Sequence, residues 1–350
     1  PGGATAAHEA VGWRPTAIPI VNFSSDDGTG YGLRCSLYEY DGHSIPYVRQ
    51  YSAQAFATTR GKWVHRLLVD WPEVRPGHRV EGELLYEKED FANYYGGLPD
   101  ARVEAYSRDQ KTFHQASPQL RVLWISRLRG PWQRRLGARL SHTTIEANAD
   151  SGSLLRDLDP PGRTGGPFAQ VEAALRRDTR DDYNDPAAGR LTELTLQYGV
   201  GSIGLPGGLT LSLDQQAFRP LSQGLSLALR LRGDAVLGDV PFYEEMEMGG
   251  SSTVRGQAAS RDRGKGRLLA NAEARWRGLA LWRQQQIYLG GAAFADVGQI
   301  FALGDGPSSS AWRHGLGLGL RLHWQSTIVR ADHGWSGGRT GLYITFSQVF

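Results

Sequence analysis

The 350-residue chain holds one cysteine, Cys35, and two methionines. A single thiol excludes a disulfide framework and a zinc site built on cysteines. An excess of charge is also missing: 39 Lys and Arg stand against 36 Asp and Glu, a balance of +3. Nucleic-acid partners are therefore not expected, since neutralising phosphates takes a pronounced basic excess. No apolar run reaches the ~18 residues that a transmembrane helix needs. Helical spacing is almost absent, and the one candidate, residues 4–11, is too short to stand alone. No Pro/Ser-rich linker divides two compositional regimes. Disorder is excluded by a 40% hydrophobic content.

What is plentiful is glycine, at 45 residues, and aromatic side chains, with 10 Trp and 14 Tyr. The mean hydropathy of −0.41 is that of a soluble protein. That average misleads for one class, because a membrane-spanning strand alternates apolar and polar residues. The chain alternates throughout. Leu225, Leu227, Leu229 and Leu231 share one face, opposite Ser226, Ala228, Arg230 and Arg232. Leu316, Leu318, Leu320, Leu322 and Trp324 oppose Gly315, Gly317, Gly319, Arg321 and His323. Residues 169–176, 209–214 and 79–86 divide in the same way.

Period-two spacing predicts sixteen strands, at 17–24, 29–40, 46–59, 62–71, 77–88, 117–127, 133–146, 167–178, 189–201, 205–217, 222–235, 267–279, 285–298, 311–323, 326–332 and 340–350. Most are close to the ~10 residues of a membrane-crossing strand, longer than the ~5–6 of soluble sheets. Connections alternate between short ones, near 41–45, 72–76, 128–132, 218–221, 280–284 and 324–326, and long ones, near 89–116, 147–166 and 236–266. Tight periplasmic turns and extended surface loops produce this alternation. The fold class expected is all-β: a 16-stranded antiparallel transmembrane barrel over residues 17–350. Residues 1–16 form a short periplasmic segment or a plug. An even strand count puts both ends of the barrel on the periplasmic side.

The last residues, Gly341 to Phe350, place Leu342, Ile344, Phe346 and Phe350 on one face, with Gln348 interrupting. An aromatic end behind alternating apolar residues resembles the C-terminal signal of outer-membrane barrels. Its physical sense is that the last strand must pair with the first and turn an apolar face to lipid.

Residues 249–256 read Gly-Gly-Ser-Ser-Thr-Val-Arg-Gly inside the long loop 236–266. Arg267–Trp276 follows, and then Ala-Phe-Ala-Asp-Val-Gly at 293–298. This order resembles the BamA/TamA superfamily of outer-membrane assembly and secretion barrels, also called bacterial surface antigens. Its members carry a Val-Arg-Gly loop tip before the twelfth strand and a Phe-x-Asp-x-Gly motif on the thirteenth. The segment Asp178–Gly189 is similar to that family's Asp-Thr-Arg hairpin. Gln257 departs from the aromatic residue usual after Val-Arg-Gly.

Read from the residues, a charge at Arg255, carried into a lumen by a glycine-flanked loop, needs a carboxylate partner. The resemblance implies Asp296; Glu273, also on an inward face, is a second candidate. A guanidinium can hold both through its fork. Val254, Arg255, Gly256, Glu273, Phe294, Asp296 and Gly298 are the residues expected at this structural latch.

The resemblance further implies residence in the bacterial outer membrane, contact with its lipid, and help to a partner polypeptide in inserting into or crossing it. A periplasmic or surface protein is then the candidate partner. About sixteen residues precede the first expected strand, too few for the ~75-residue periplasmic domain usual in the family. Two other roles stay open: a passive channel, or an anchor for a partner protein or for a removed N-terminal domain. The seam between first and last strands is expected to be weak, since Pro19 removes a ladder donor from a short first strand.

No enzyme is expected. No Gly-x-Ser-x-Gly elbow occurs, and the segment 261–267 lacks the spacing of a phosphate loop. The nine histidines show no metal-ligand spacing. Arg127, Arg129, Arg134, Arg135 and Arg139 flank a turn and are read as a rim or lumen cluster. No cofactor and no metal are expected.

Overall fold

The computed structural model describes residues 11–201, 207–282, 284–303, 311–324 and 327–350. Residues 1–10, which hold all of the helix candidate 4–11 but its last residue and most of the expected plug, lie outside the described residues, as do 205–206 of the expected strand 205–217, 325–326 of the expected turn at 324–326 and strand 326–332, and residue 283 of the turn at 280–284.

The strand periodicity closes into a cylinder. Its wall runs through β1 (Val11–Ser24), β2 (Gly28–Asp41), β3 (Arg49–Thr58), β4 (Lys62–Arg75), β5 (His78–Asn93), β6 (Thr112–Arg127), β7 (Trp132–Ala147), β8 (Gly165–Asp178), β9 (Gly189–Gly201), β10 (Gly208–Ser222) and β11 (Leu225–Gly238). It continues through β14 (Gly266–Trp282), β15 (Ile287–Phe301), β16 (Arg313–Trp324), β17 (Thr327–Ser336) and β18 (Arg339–Phe346). Every wall pair is antiparallel, and β18 returns to β1. The two remaining strands, β12 (Met246–Met248) and β13 (Asp262–Gly264), pair with each other inside the loop between β11 and β14.

The sorting of faces follows the sequence pattern. Leu229 and Leu231 are exposed, as are Leu316, Leu318, Leu320, Leu322 and Trp324. The inward faces of the wall carry the buried Arg275, Arg321, Asp332 and Asp296. A closed wall with a leucine-rich outside satisfies backbone groups where hydrocarbon offers no partners.

Two boundaries differ from the sequence reading in ways that matter. The first strand starts at Val11 rather than at 17, so residues 11–16 belong to the wall and not to a plug. Arg14, Pro15 and Thr16 hide the alternation there, yet the ladder to β2 runs unbroken from Val11↔Asp41 to Ser24↔Gly28. The last strand stops at Phe346 rather than at Phe350. Ser347 adopts φ +68° and turns the chain inward.

At the long-loop end, connections pack on one another. Phe242 meets the rings of Tyr94 and Phe113 edge-on, at 5.3 and 5.5 Å between centroids. Leu154, Leu155 and Ile145 complete this buried cluster.

Candidate functional site

Val254, Arg255 and Gly256 are buried at the tip of the loop between β11 and β14. Arg255 is 0% exposed. Its Nε donates to Asp296 Oδ2 at 2.7 Å and its Nη2 to Asp296 Oδ1 at 2.8 Å, a forked pair; the Arg255 amide adds a third bond to Oδ2 at 3.1 Å. Nη1 donates to Glu273 Oε1 at 2.5 Å and to Asp332 Oδ2 at 3.0 Å. The guanidinium carbon lies 3.4 Å from the ring centroid of Phe294. Glu273, Asp296 and Asp332 occupy strand faces opposite the exposed leucines, so bonding to them sets the tip inside the cylinder.

Three carboxylates around one cation would leave negative charge uncompensated in a desolvated space. Further arginines balance it. Arg275 pairs with Glu273 at 2.8 Å, and Arg321 and Arg330 pair with Asp332 at 2.5 and 3.2 Å. Asn271 ties the wall to the loop, donating to Asp296 Oδ1 and to the Thr253 carbonyl, both at 2.8 Å.

Backbone shape admits the tip. Gly256 holds φ +95° and lies against β17, where an added Cβ would approach the Trp335 carbonyl carbon to 2.9 Å. A Cβ on Gly334 would come within 2.9 Å of the Arg255 carbonyl carbon, and one on Gly315 within 2.3 Å of its oxygen. Gly298 makes room for Met248, whose sulfur would stand 2.5 Å from a Cβ there. Val254 packs with Met248, Leu269 and Ile300 in a small apolar cluster. The sequence reading thus named Arg255, Glu273, Asp296, Val254, Gly256, Phe294 and Gly298, and the fold brings them together. It missed Asp332, Arg321, Arg330, Gly315 and Gly334. Their signal was present as charged or glycine residues on otherwise regular polar faces, but nothing local marks which of those meet the loop.

The tip also touches both sides of the closure between β1 and β18. Gly256 donates its amide to the Tyr343 hydroxyl at 3.2 Å, and that hydroxyl donates to the Gln257 carbonyl at 3.3 Å. The Tyr343 hydroxyl of β18 thus bonds the loop backbone at both Gly256 and Gln257, while the Gln257 side chain donates to Ser336 Oγ at 2.7 Å. On the other side the Ala259 amide donates to Asp26, in the turn after β1, at 2.9 Å. Burial pushes the Asp26 carboxyl above its ordinary range, against the pull of that amide.

The closure is short. β1 pairs with β2 along its whole length but with β18 only through Phe23↔Ile344 and Ser24↔Tyr343. Ser25 extends it, donating its amide to Leu342 at 3.0 Å and accepting from the Leu342 amide at its hydroxyl at 2.9 Å. Below Phe23, the side of β1 away from β2 has no strand paired to it among the described residues.

The final residues explain why. Leu342 and Phe346 are exposed as expected, and Ile344 shares their face beside Phe23. Phe350 is not on that face. Gln348 donates to Asp185 at 2.9 Å and accepts from Arg321 at 3.1 Å. Phe350 lies 6.3 Å from the Phe218 ring and 5.0 Å from the Arg275 guanidinium, and its carbonyl accepts from Arg275 at 3.0 Å. The polar residue that interrupts the apolar pattern is the one turned inward. Asp185, in the connection between β8 and β9, also accepts from Arg277 and lies 3.2 Å from His323 Nδ1. Burial raises its carboxyl, but the bonds from His323, Gln348 and Arg277 outweigh burial and hold it well below the usual carboxylate range.

A closed sixteen-stranded wall with a charged loop tip bound in its lumen defines an outer-membrane β-barrel. Residues 104–336 match the Omp85 superfamily domain, and the chain belongs to that superfamily. Among solved structures it is similar to BamA from Haemophilus ducreyi lacking POTRA domains 1-3, at 12% identity and a TM-score of 0.68, over 95% of this chain and 70% of that one. It is also similar to CdiB from Escherichia coli, at 13% identity and a TM-score of 0.65, over 94% of this chain and 62% of that one. No curated protein matches it.

Proposed function

We propose that this Omp85 barrel assists a partner polypeptide in inserting into or crossing the outer membrane, through the seam between β1 and β18. The carrying observation is the asymmetry of β1, fully paired on one side and paired at only two positions on the other. An unpaired edge offers an incoming strand a row of backbone donors and acceptors, so the partner adds by β-augmentation. Bonds left unmade in hydrocarbon are costly, which drives pairing there. The Arg255 cluster acts as a structural latch that ties the loop tip to β14, β15 and β17, the wall on the β18 side of the seam, and keeps that side rigid while the seam moves. The reading involves no catalysis, and the partner is a periplasmic or surface-bound polypeptide.

A disulfide staple tests this. In a Cys35→Ser background, Val21→Cys and Phe346→Cys join the two strands below their natural pairing. The oxidised protein is expected to lose the ability to insert an unfolded eight-stranded barrel into liposomes, and a reductant restores it. Full activity of the oxidised protein refutes the reading.

A passive channel is the second reading. A polar cavity of about 420 Å³, between Arg66, Glu83, Arg121, Arg139 and Glu172, favours it. The buried loop tip and the Phe242 cluster that packs the long-loop connections together oppose it. Steady, solute-selective conductance in planar bilayers would support the channel.

A further inference from the structure

The register of β1 determines which of its backbone groups face the seam. The Ser25 amide donates to Leu342, so odd-numbered residues at this edge turn their N–H and C=O toward β18. The other side of the strand agrees. Thr29 and Glu39, odd residues of β2, give their carbonyls to Thr59 and Val48 on the β3 side. Even residues of β2 therefore face β1, and they pair with even residues of β1. In an antiparallel ladder both backbone groups of a residue point the same way. Val11, Trp13, Pro15, Ala17, Pro19 and Val21 thus present their backbones to the open edge.

Two of these are prolines, which have no amide hydrogen. Their parity explains how β1 carries two prolines while its ladder to β2 stays unbroken. It also bears on closure. Continuing the observed pairs Phe23↔Ile344 and Ser24↔Tyr343 downward sets Val21 opposite Phe346, Pro19 opposite Gln348 and Ala17 opposite Phe350. At Pro19 the bond to the Gln348 carbonyl cannot form. Gln348 is found instead inside the lumen, bonded to Asp185 and Arg321.

We propose that Pro19 holds the seam open below Phe23, and that Pro15 repeats the break further along the same edge. Pro19 keeps residues 347–350 from zipping onto β1, and both prolines shorten the stay of any strand that pairs there. An incoming strand gains every carbonyl of the edge as an acceptor but forfeits one bond at Pro15 and another at Pro19. The strand is accepted and then let go. This rests on the insertion reading for its purpose, but its geometry can be tested without a client.

The experiment uses the full chain with Cys35→Ser. Ile18→Cys and Val349→Cys would lie opposite each other only in a zipped seam. Disulfide yield between them is compared in liposomes, with Pro19 present and with Pro19→Ala. Restoring the one backbone hydrogen bond at residue 19 is expected to raise the yield by about fivefold. Equal yields overturn the proposal. Equal heat-modifiable gel mobility checks that both forms are folded.

A parity pair guards against a trivial folding effect. Ala17→Pro faces the seam and is expected to leave heat stability unchanged, whereas Ile20→Pro faces β2 and is expected to lower it. Equal losses in the two overturn the assignment of faces. Failure of the staple described above would remove the insertion reading while leaving the cross-linking ratio to judge the prolines on its own.

Discussion

Arg255 and Asp296, separated by 41 residues, are joined by three hydrogen bonds to one carboxylate, two from the guanidinium and one from the arginine's own amide. The amide bond matters as much as the fork. It makes the position of the loop backbone, and not only of a side chain, depend on Asp296.

Arg255→Ala is expected to destabilise the barrel by about 3–5 kcal/mol, because Asp296, Glu273 and Asp332 remain buried without their shared cation. Arg255→Lys keeps the charge but not the fork, and should recover only part of the loss. Heat-modifiable gel mobility across a temperature series in detergent measures both. A melting curve for Arg255→Ala indistinguishable from that of the unchanged protein would mean that the cluster contributes nothing to stability.

Gly334→Ala tests the seat of the loop rather than its charge. The new Cβ would press on two backbone atoms, the Arg255 carbonyl carbon and the Gly256 nitrogen, both at 2.9 Å, with no flexible side-chain end there to yield. The tip is expected to leave the lumen, and limited proteolysis should then cut between 249 and 261. Gly82→Ala is the control, since its Cβ meets open space, and it should leave the protease pattern unchanged.

The docking of Asp185 is expected to depend on pH. Its folded carboxyl titrates below the unfolded value of about 3.9, so its stabilising contribution is complete above that value and lost as the pH falls through the lower, folded one. Burial opposes the depression, and the bonds from His323, Gln348 and Arg277 cause it. Protection from hydrogen exchange at 347–350, taken relative to the intrinsic rate at each pH, should therefore fall below about pH 4. Asp185→Asn should exchange quickly at neutral pH and show little further change on acidification. A protection factor independent of pH in the unchanged protein would remove Asp185 as the anchor of those residues.

Strand number and facing were legible because each wall strand meets hydrocarbon on one side, which demands an apolar residue at every second position. Leu316 to Trp324 and Leu225 to Leu231 carry that demand openly. The Arg255–Asp296 pair was legible for a different reason: a buried guanidinium needs a carboxylate, and the Val-Arg-Gly and Phe-x-Asp-x-Gly motifs resemble those of the family. Alternation reads less well where both faces depart from it. Arg14, Pro15 and Thr16 concealed the start of β1, and Gln348 passed for a blemish in a final strand when it marks the residue that turns inward.

Taken alone, the chain's order of residues determined the cylinder, its count of strands and the charged tip of its longest loop. The closure of that cylinder decided what meets across the lumen, Asp332 with Arg255, Tyr343 with Gly256 and Asp185 with Gln348, and left β1 an edge with no strand paired to it among the described residues. The reason is geometric. Period two records which side of a strand faces lipid, whereas the partner of an inward side chain depends on curvature and register accumulated around the whole wall.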